Sequence, residues 1–143
     1  MSANSRFTVA VHILAWMALA VRDDHHVVTS EQIAASVNTN PVVIRRILGQ
    51  LRDAGLVTVQ RGNGAGWSLA HPAESVSLAQ VHDALEPERM FAMHASEPSQ
   101  RCPVGRGIQS ALNTVYGGVE QAVRDELRNT TVADALAESL ASS

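Results

Sequence analysis

Asn38-Thr39-Asn40-Pro41-Val42-Val43-Ile44-Arg45-Arg46-Ile47-Leu48-Gly49-Gln50-Leu51-Arg52-Asp53-Ala54-Gly55 holds a turn, a helix start and a helix stop. Asn40 can cap free backbone amides, and Pro41 suits the first helical position, where its missing N–H costs nothing. Gly55 stops the helix. At about 100° per residue, Ile44, Ile47, Leu48 and Leu51 share one stripe, while Val42, Arg45, Arg46 and Gly49 lie opposite. One face is therefore core and the other cationic.

Upstream, Thr29 stands three residues before Gln32, the capping-box spacing, and starts a short helix over Ser30 to Val37 with Ile33, Ala34 and Val37 on one face. Two helices joined by about three residues make a helix-turn-helix. Downstream, Leu56-Val57-Thr58-Val59-Gln60 alternates like a strand, Arg61-Gly62-Asn63-Gly64-Ala65-Gly66 is a glycine-rich tip, and Trp67-Ser68-Leu69-Ala70 returns. Helix, helix and hairpin together predict a winged helix. In that architecture the second helix enters the major groove and the hairpin tip reaches the neighbouring backbone or minor groove. The candidate DNA contacts are Thr39, Asn40, Val42, Arg45, Arg46, Arg52, Arg61 and Asn63. Arginine suits bidentate contact with guanine, but Arg45 or Arg46 can equally hold phosphate. Arg52, nearer the helix end and more to one side, fits a phosphate contact or a surface pair with Asp53.

Charge is distributed in keeping with this. The chain carries a net −3, and all eleven of its basic residues are arginines. Six arginines face four carboxylates up to Gly66, whereas five face ten from Trp67 onward. The densest positive stretch is Pro41 to Gly66, where an anionic partner would dock. With 143 residues, 45% hydrophobic and 17% charged, the chain is long enough for one well-packed domain and too apolar for disorder. A single cysteine, Cys102, excludes an internal disulfide and a cysteine-built metal site, and predicts a reduced, cytoplasmic setting. No metal and no cofactor is expected. Nor is an enzyme, since no positioned base or oxyanion signature accompanies Cys102.

The apolar run from Phe7 to Val21, with Arg6 before it, has the outline of a secretory signal but is too short to span a bilayer. His12 interrupts it and the preceding basic region is weak. We read it as a buried helix packed against its own domain and a partner, with no membrane involved.

The second half is helical. Ser77 with Gln80 starts a short helix through Leu85, and residues 86–102 form an irregular connector. The longest helix begins at Pro103, with Val104, Ile108, Ala111, Val115, Val119 and Ala122 forming a stripe broadened by Leu112, Val123 and Leu127. This is a pairing helix, and Gly117-Gly118 within it predicts a kink or a close crossing. Thr130 or Thr131 starts a terminal helix through Leu140. The resulting fold class is mainly α with a small β-hairpin. Residues 1–85 form the winged domain, 86–102 a connector and 103–143 the dimerisation helices.

The stretch from Asn38 to Arg46, Gly55-Leu56-Val57, and the wing Arg61-Gly62-x-Gly64-Ala65-Gly66 resemble the Rrf2 family of winged-helix bacterial transcription regulators. The likeness runs from about Ser5 to Leu140. It implies that the polar pair one turn into the recognition helix, here Arg45 and Arg46, reads bases, and that Arg61 enters the minor groove. It also implies a homodimeric, sequence-specific repressor binding double-stranded DNA at a palindromic operator. Iron–sulfur members of the family keep three connector cysteines. Here Cys102 matches only the last of them, and Gly105 stands at a further ligand position, so the resemblance is to the cluster-free members. Cys102, beside Arg101 at a helix start, is a candidate redox or nitrosative sensor, with a purely structural helix-start role as the alternative. A winged-helix module used only for protein interaction is the other reading.

Overall fold

The computed structural model describes residues 3–85 and 87–143. Helix α1 (Ala3–Arg22) is apolar nearly all round because several elements pack on it. Ala10, Ile13, Leu14 and Met17 are at most 2% exposed, and Phe7, Val9, Val11 and Trp16 are half-buried around them. By length and composition α1 could also cross a membrane, yet its inward stripe forms the centre of the core.

Helices α2 (Ser30–Val37) and α3 (Pro41–Asp53) form the helix-turn-helix. The capping box at Thr29 is closed from both sides, with Gln32 N–H donating to the threonine hydroxyl and Thr29 N–H to Gln32 Oε1. Asn38 ends α2 in the left-handed conformation. Polar contacts fix α1 on this pair: His12 Nε2 lies 2.9 Å from Ser36 Oγ, and Arg6 donates to Gln50 Oε1.

Strands β1 (Val57–Gln60) and β2 (Gly66–Leu69) pair antiparallel, Val57 opposite Leu69 and Gln60 opposite Gly66. Leu56 lies just before β1; its N–H closes α3 on Leu51 carbonyl at 2.9 Å and its side chain is buried. Beyond the hairpin, Val28 and Trp67 exchange backbone hydrogen bonds of 2.9 and 2.7 Å, joining the start of the helix pair to the wing. Gly66 permits this: a Cβ there would lie 2.6 Å from Val28 carbonyl oxygen, and its φ of +156° is one that side chains rarely adopt.

A 3-10 turn (Ala73–Ser75) leads to α4 (Leu78–Ala84), capped by Ser77 and Gln80. After the connector come α5 (Pro103–Arg128) and α6 (Val132–Ala141), the latter capped by Thr131 with Asp134. Two features of this half depend on packing and not on local pattern. Helix α5 runs unbroken through Gly117-Gly118, and a Cβ at either glycine would meet nothing within 4 Å, so no close crossing with another described element explains them. Helix α6, starting at Thr131 as its cap predicts, folds back on α1. Val132 and Leu136 become part of the winged-domain core, because that is where an uncovered apolar surface remains.

Candidate nucleic-acid interface

Helix α3 divides sharply. Ile44, Ile47, Leu48 and Leu51 are at most 1% exposed, while Val42 is half exposed and Arg45, Arg46 and Arg52 lie on the surface. The helix begins where Asn40 Oδ1 accepts the Val42 N–H at 2.8 Å, with Pro41 at the first helical position. This spends the Asn40 carbonyl on the helix and leaves its amide N–H₂ for a ligand. Thr39 is half-buried in the turn, and its backbone N–H donates to Ala34 carbonyl.

The arginines differ in what they touch. Arg45 Nη1 donates to Ser30 Oγ and to Glu31 Oε1, both at 3.2 Å, tying α3 to the first turn of α2. The Glu31 carboxyl is held below its ordinary value, first by its own backbone N–H, which desolvation partly opposes, and then by the Ser30 hydroxyl and the Arg45 guanidinium. Arg52 bonds to Asp53 Oδ1 through Nε and Nη2 at 3.3 and 3.2 Å. Its guanidinium folds over Gly49, where a Cβ would sit 3.9 Å away. Seven residues after Arg45, about two turns of helix, Arg52 shares the Arg45 side rather than standing off it. Arg46 and Arg61 have neither an ion pair nor a side-chain hydrogen bond among the described residues. Arg61 and Asn63 are exposed at the hairpin tip, where Gly62 and Gly64 take positive φ and Ala65 N–H closes on Gly62 carbonyl at 3.1 Å. Glu31 gave no signal in the sequence, because its pairing depends on how two helices cross.

The Rrf2 family profile, described as that of an iron-dependent transcriptional regulator, matches residues 3–138. The chain belongs to the Rrf2 family of transcriptional regulators. It is 38% identical over 134 residues to YwnA of Bacillus subtilis, named as a candidate HTH-type transcriptional regulator, with 93% of this chain and 96% of that one covered. It is 28% identical to the HTH-type transcriptional regulator IscR of Cereibacter sphaeroides, covering 94% and 86%. A solved structure described as a candidate DNA-binding protein superposes with a TM-score of 0.73 at 35% identity, over 92% of this chain and 98% of the other. The protein is thus a winged-helix, DNA-binding regulator of the Rrf2 family.

Family membership directs attention to the connector. Cys102 is exposed at the start of α5, and its side chain makes no capping hydrogen bond. Phe91 stacks on Tyr116 of α5, ring centroids 5.0 Å apart. The first turn of α5 is crossed so closely that a Cβ on Gly105 would lie 2.1 Å from Ser99 carbonyl oxygen. Among the described residues no three His, Cys, Asp or Glu side chains group as metal ligands.

Proposed function

We propose that this chain is a cytoplasmic homodimer that represses transcription by reading an inverted-repeat operator, with no iron–sulfur cluster. The observation that carries the reading is the pair of unpartnered guanidinium groups, Arg46 on the outer side of α3 and Arg61 at the wing tip. Cations left without partners on a recognition helix and a wing are available for base edges and the minor groove. Arg45 and Arg52 lie on one side of the same helix, and each holds an exposed carboxylate that a phosphate can replace. Asn40, Val42, Thr39 and Asn63 flank these cations.

Dimerisation is supported by α5: none of its 26 residues is buried, and Val104 and Val115 are 67% and 57% exposed. A helix this long leaves its apolar stripe in water unless a second copy covers it. Each recognition helix then addresses a half-site about one or two helical turns from the other. The family's iron dependence does not fit the donors here. One cysteine cannot hold a cluster, and Ser99 carbonyl occupies the space that a ligand side chain at position 105 would need.

The test separates the arginines by role on an operator selected from random duplex. Arg46→Ala should cost about 1–3 kcal/mol on the operator and much less on random sequence. Arg52→Ala should weaken both and lower the salt slope by about one. Arg61→Ala should lose most on sites with narrow, A·T-rich flanks. Unchanged binding of all three variants to both duplexes at about physiological salt would mean that the cations are only solvated.

A further inference from the structure

A cavity of about 420 Å³ opens on the side of the winged body, between the end of α1, the end of β2, the 3-10 turn and α6. Its floor is apolar, built from Ala18, Val21, Leu69 and Leu136. Arg22 and Glu74 stand in its lining, both exposed. Neither makes an ion pair or side-chain hydrogen bond among the described residues, and they do not pair with each other. His26, bonded to Asp24, and His71 complete the polar lining.

The size falls in the range of small-molecule sites, which are mostly apolar with a few placed polar groups. Opposite charges, each without a protein partner among the described residues, select the ligand. A simple acid can engage only Arg22, a simple amine only Glu74, and a neutral molecule makes no ionic contact with either, the exposed charge left over keeping its water. A zwitterion answers each with a charge-assisted hydrogen bond. We propose that this cavity is an effector site for a free α-amino acid with a branched apolar side chain: its carboxylate on Arg22, its ammonium group on Glu74 and its side chain on the Ala18–Leu136 floor. The effector role rests on the DNA-binding reading above; the binding site does not. Within that floor Leu69 ends the wing strand and Leu136 belongs to α6, so a bound molecule touches the DNA-reading hairpin and the C-terminal helix together. Such a ligand shifts DNA affinity to the extent that it binds the two wing arrangements unequally.

Calorimetry on the full chain without DNA, using L-leucine, 4-methylpentanoate (which lacks the amine) and 3-methylbutylamine (which lacks the carboxylate), tests the site. Leucine should bind saturably and about tenfold or more tighter than either fragment. Arg22→Gln should reduce leucine to the level of the amine, and Glu74→Gln to that of the acid. Both positions are exposed, and thermal melting checks that the variants fold. Ala133→Trp, which fills the cavity from α6, should abolish binding of all three. Leucine binding no tighter than its fragments, or untouched by the two charge variants, overturns the site. Saturating leucine should then change duplex affinity at least about threefold, a coupling of ordinary allosteric size. Leucine bound with duplex affinity unchanged overturns the effector role. Leucine bound by a protein that binds no duplex in either condition upholds the site and removes the regulator reading instead.

Discussion

Arg45 and Arg46 are neighbours in the chain and opposites in bonding: one is held by Ser30 and Glu31, the other has no partner among the described residues. For Arg45 to meet DNA it must leave Glu31, so the carboxylate competes with the duplex. Glu31→Gln should therefore tighten binding to random duplex about two- to fivefold, the scale of an exposed ion pair. The effect carries a pH signature. Glu31 titrates below its ordinary value in the folded chain, chiefly through its own backbone N–H and in smaller part through Ser30 and Arg45, so the ionised carboxylate stabilises the fold above that ordinary value and the contribution is lost as pH falls through the lowered one. Below it the parent is neutral at position 31, and the advantage of Glu31→Gln over the parent should vanish. Fluorescence anisotropy across an acid titration measures this, and an advantage independent of pH would contradict it. At this scale the sequence was partly legible. Asn40 as cap and the exposed cations followed from local pattern. The side on which Arg52 lies was available from helix periodicity, since seven residues return almost to the same angle. The Glu31 pairing was not available, because it joins two helices whose crossing no local signal specifies.

Among the elements, the hairpin depends most on a single residue. Gly66 lets the Val28 backbone approach Trp67, and that bridge anchors the wing to the entry of the helix pair. Gly66→Ala should cost at least about 1–3 kcal/mol of stability, since strain and a backbone clash act together. Its DNA affinity should fall as that of Arg61→Ala does, because the tip loses its position. A melting temperature equal to the parent's would show that the bridge is dispensable. Caps, the glycine tip and the periodicity of α3 read directly from sequence because each is a short-range signal. The 3-10 turn after β2 and the Val28 bridge did not, being consequences of packing. Gly117 and Gly118 meet no other element among the described residues, so the use that remains for them is a close crossing with a second copy of α5.

For the whole molecule, the governing quantity is the apolar surface left on α5. Light scattering at micromolar concentration should give about twice the 15.3 kDa of one chain. Val115→Glu, at a position 57% exposed in the single chain, should give a folded monomer with operator affinity strongly reduced, since a two-fold site then loses one of its readers. A monomeric parent would end the assembly reading. An amphipathic helix shows that it needs a surface but not whose, and α6 finds its surface on α1. That contact has a consequence in time. Val132 and Leu136 pack in the cluster that contains Ala10, Ile13 and Leu14, so the core begun by α1 is completed by α6, which follows every other element of that core along the chain. While the ribosome is still short of α6, the DNA-reading half has all of its own sequence and an open flank. Its tight native state is therefore withheld until α6 has emerged, and a message cut short before α6 yields a chain with an exposed apolar wall, a target for chaperone or protease before it can compete for an operator.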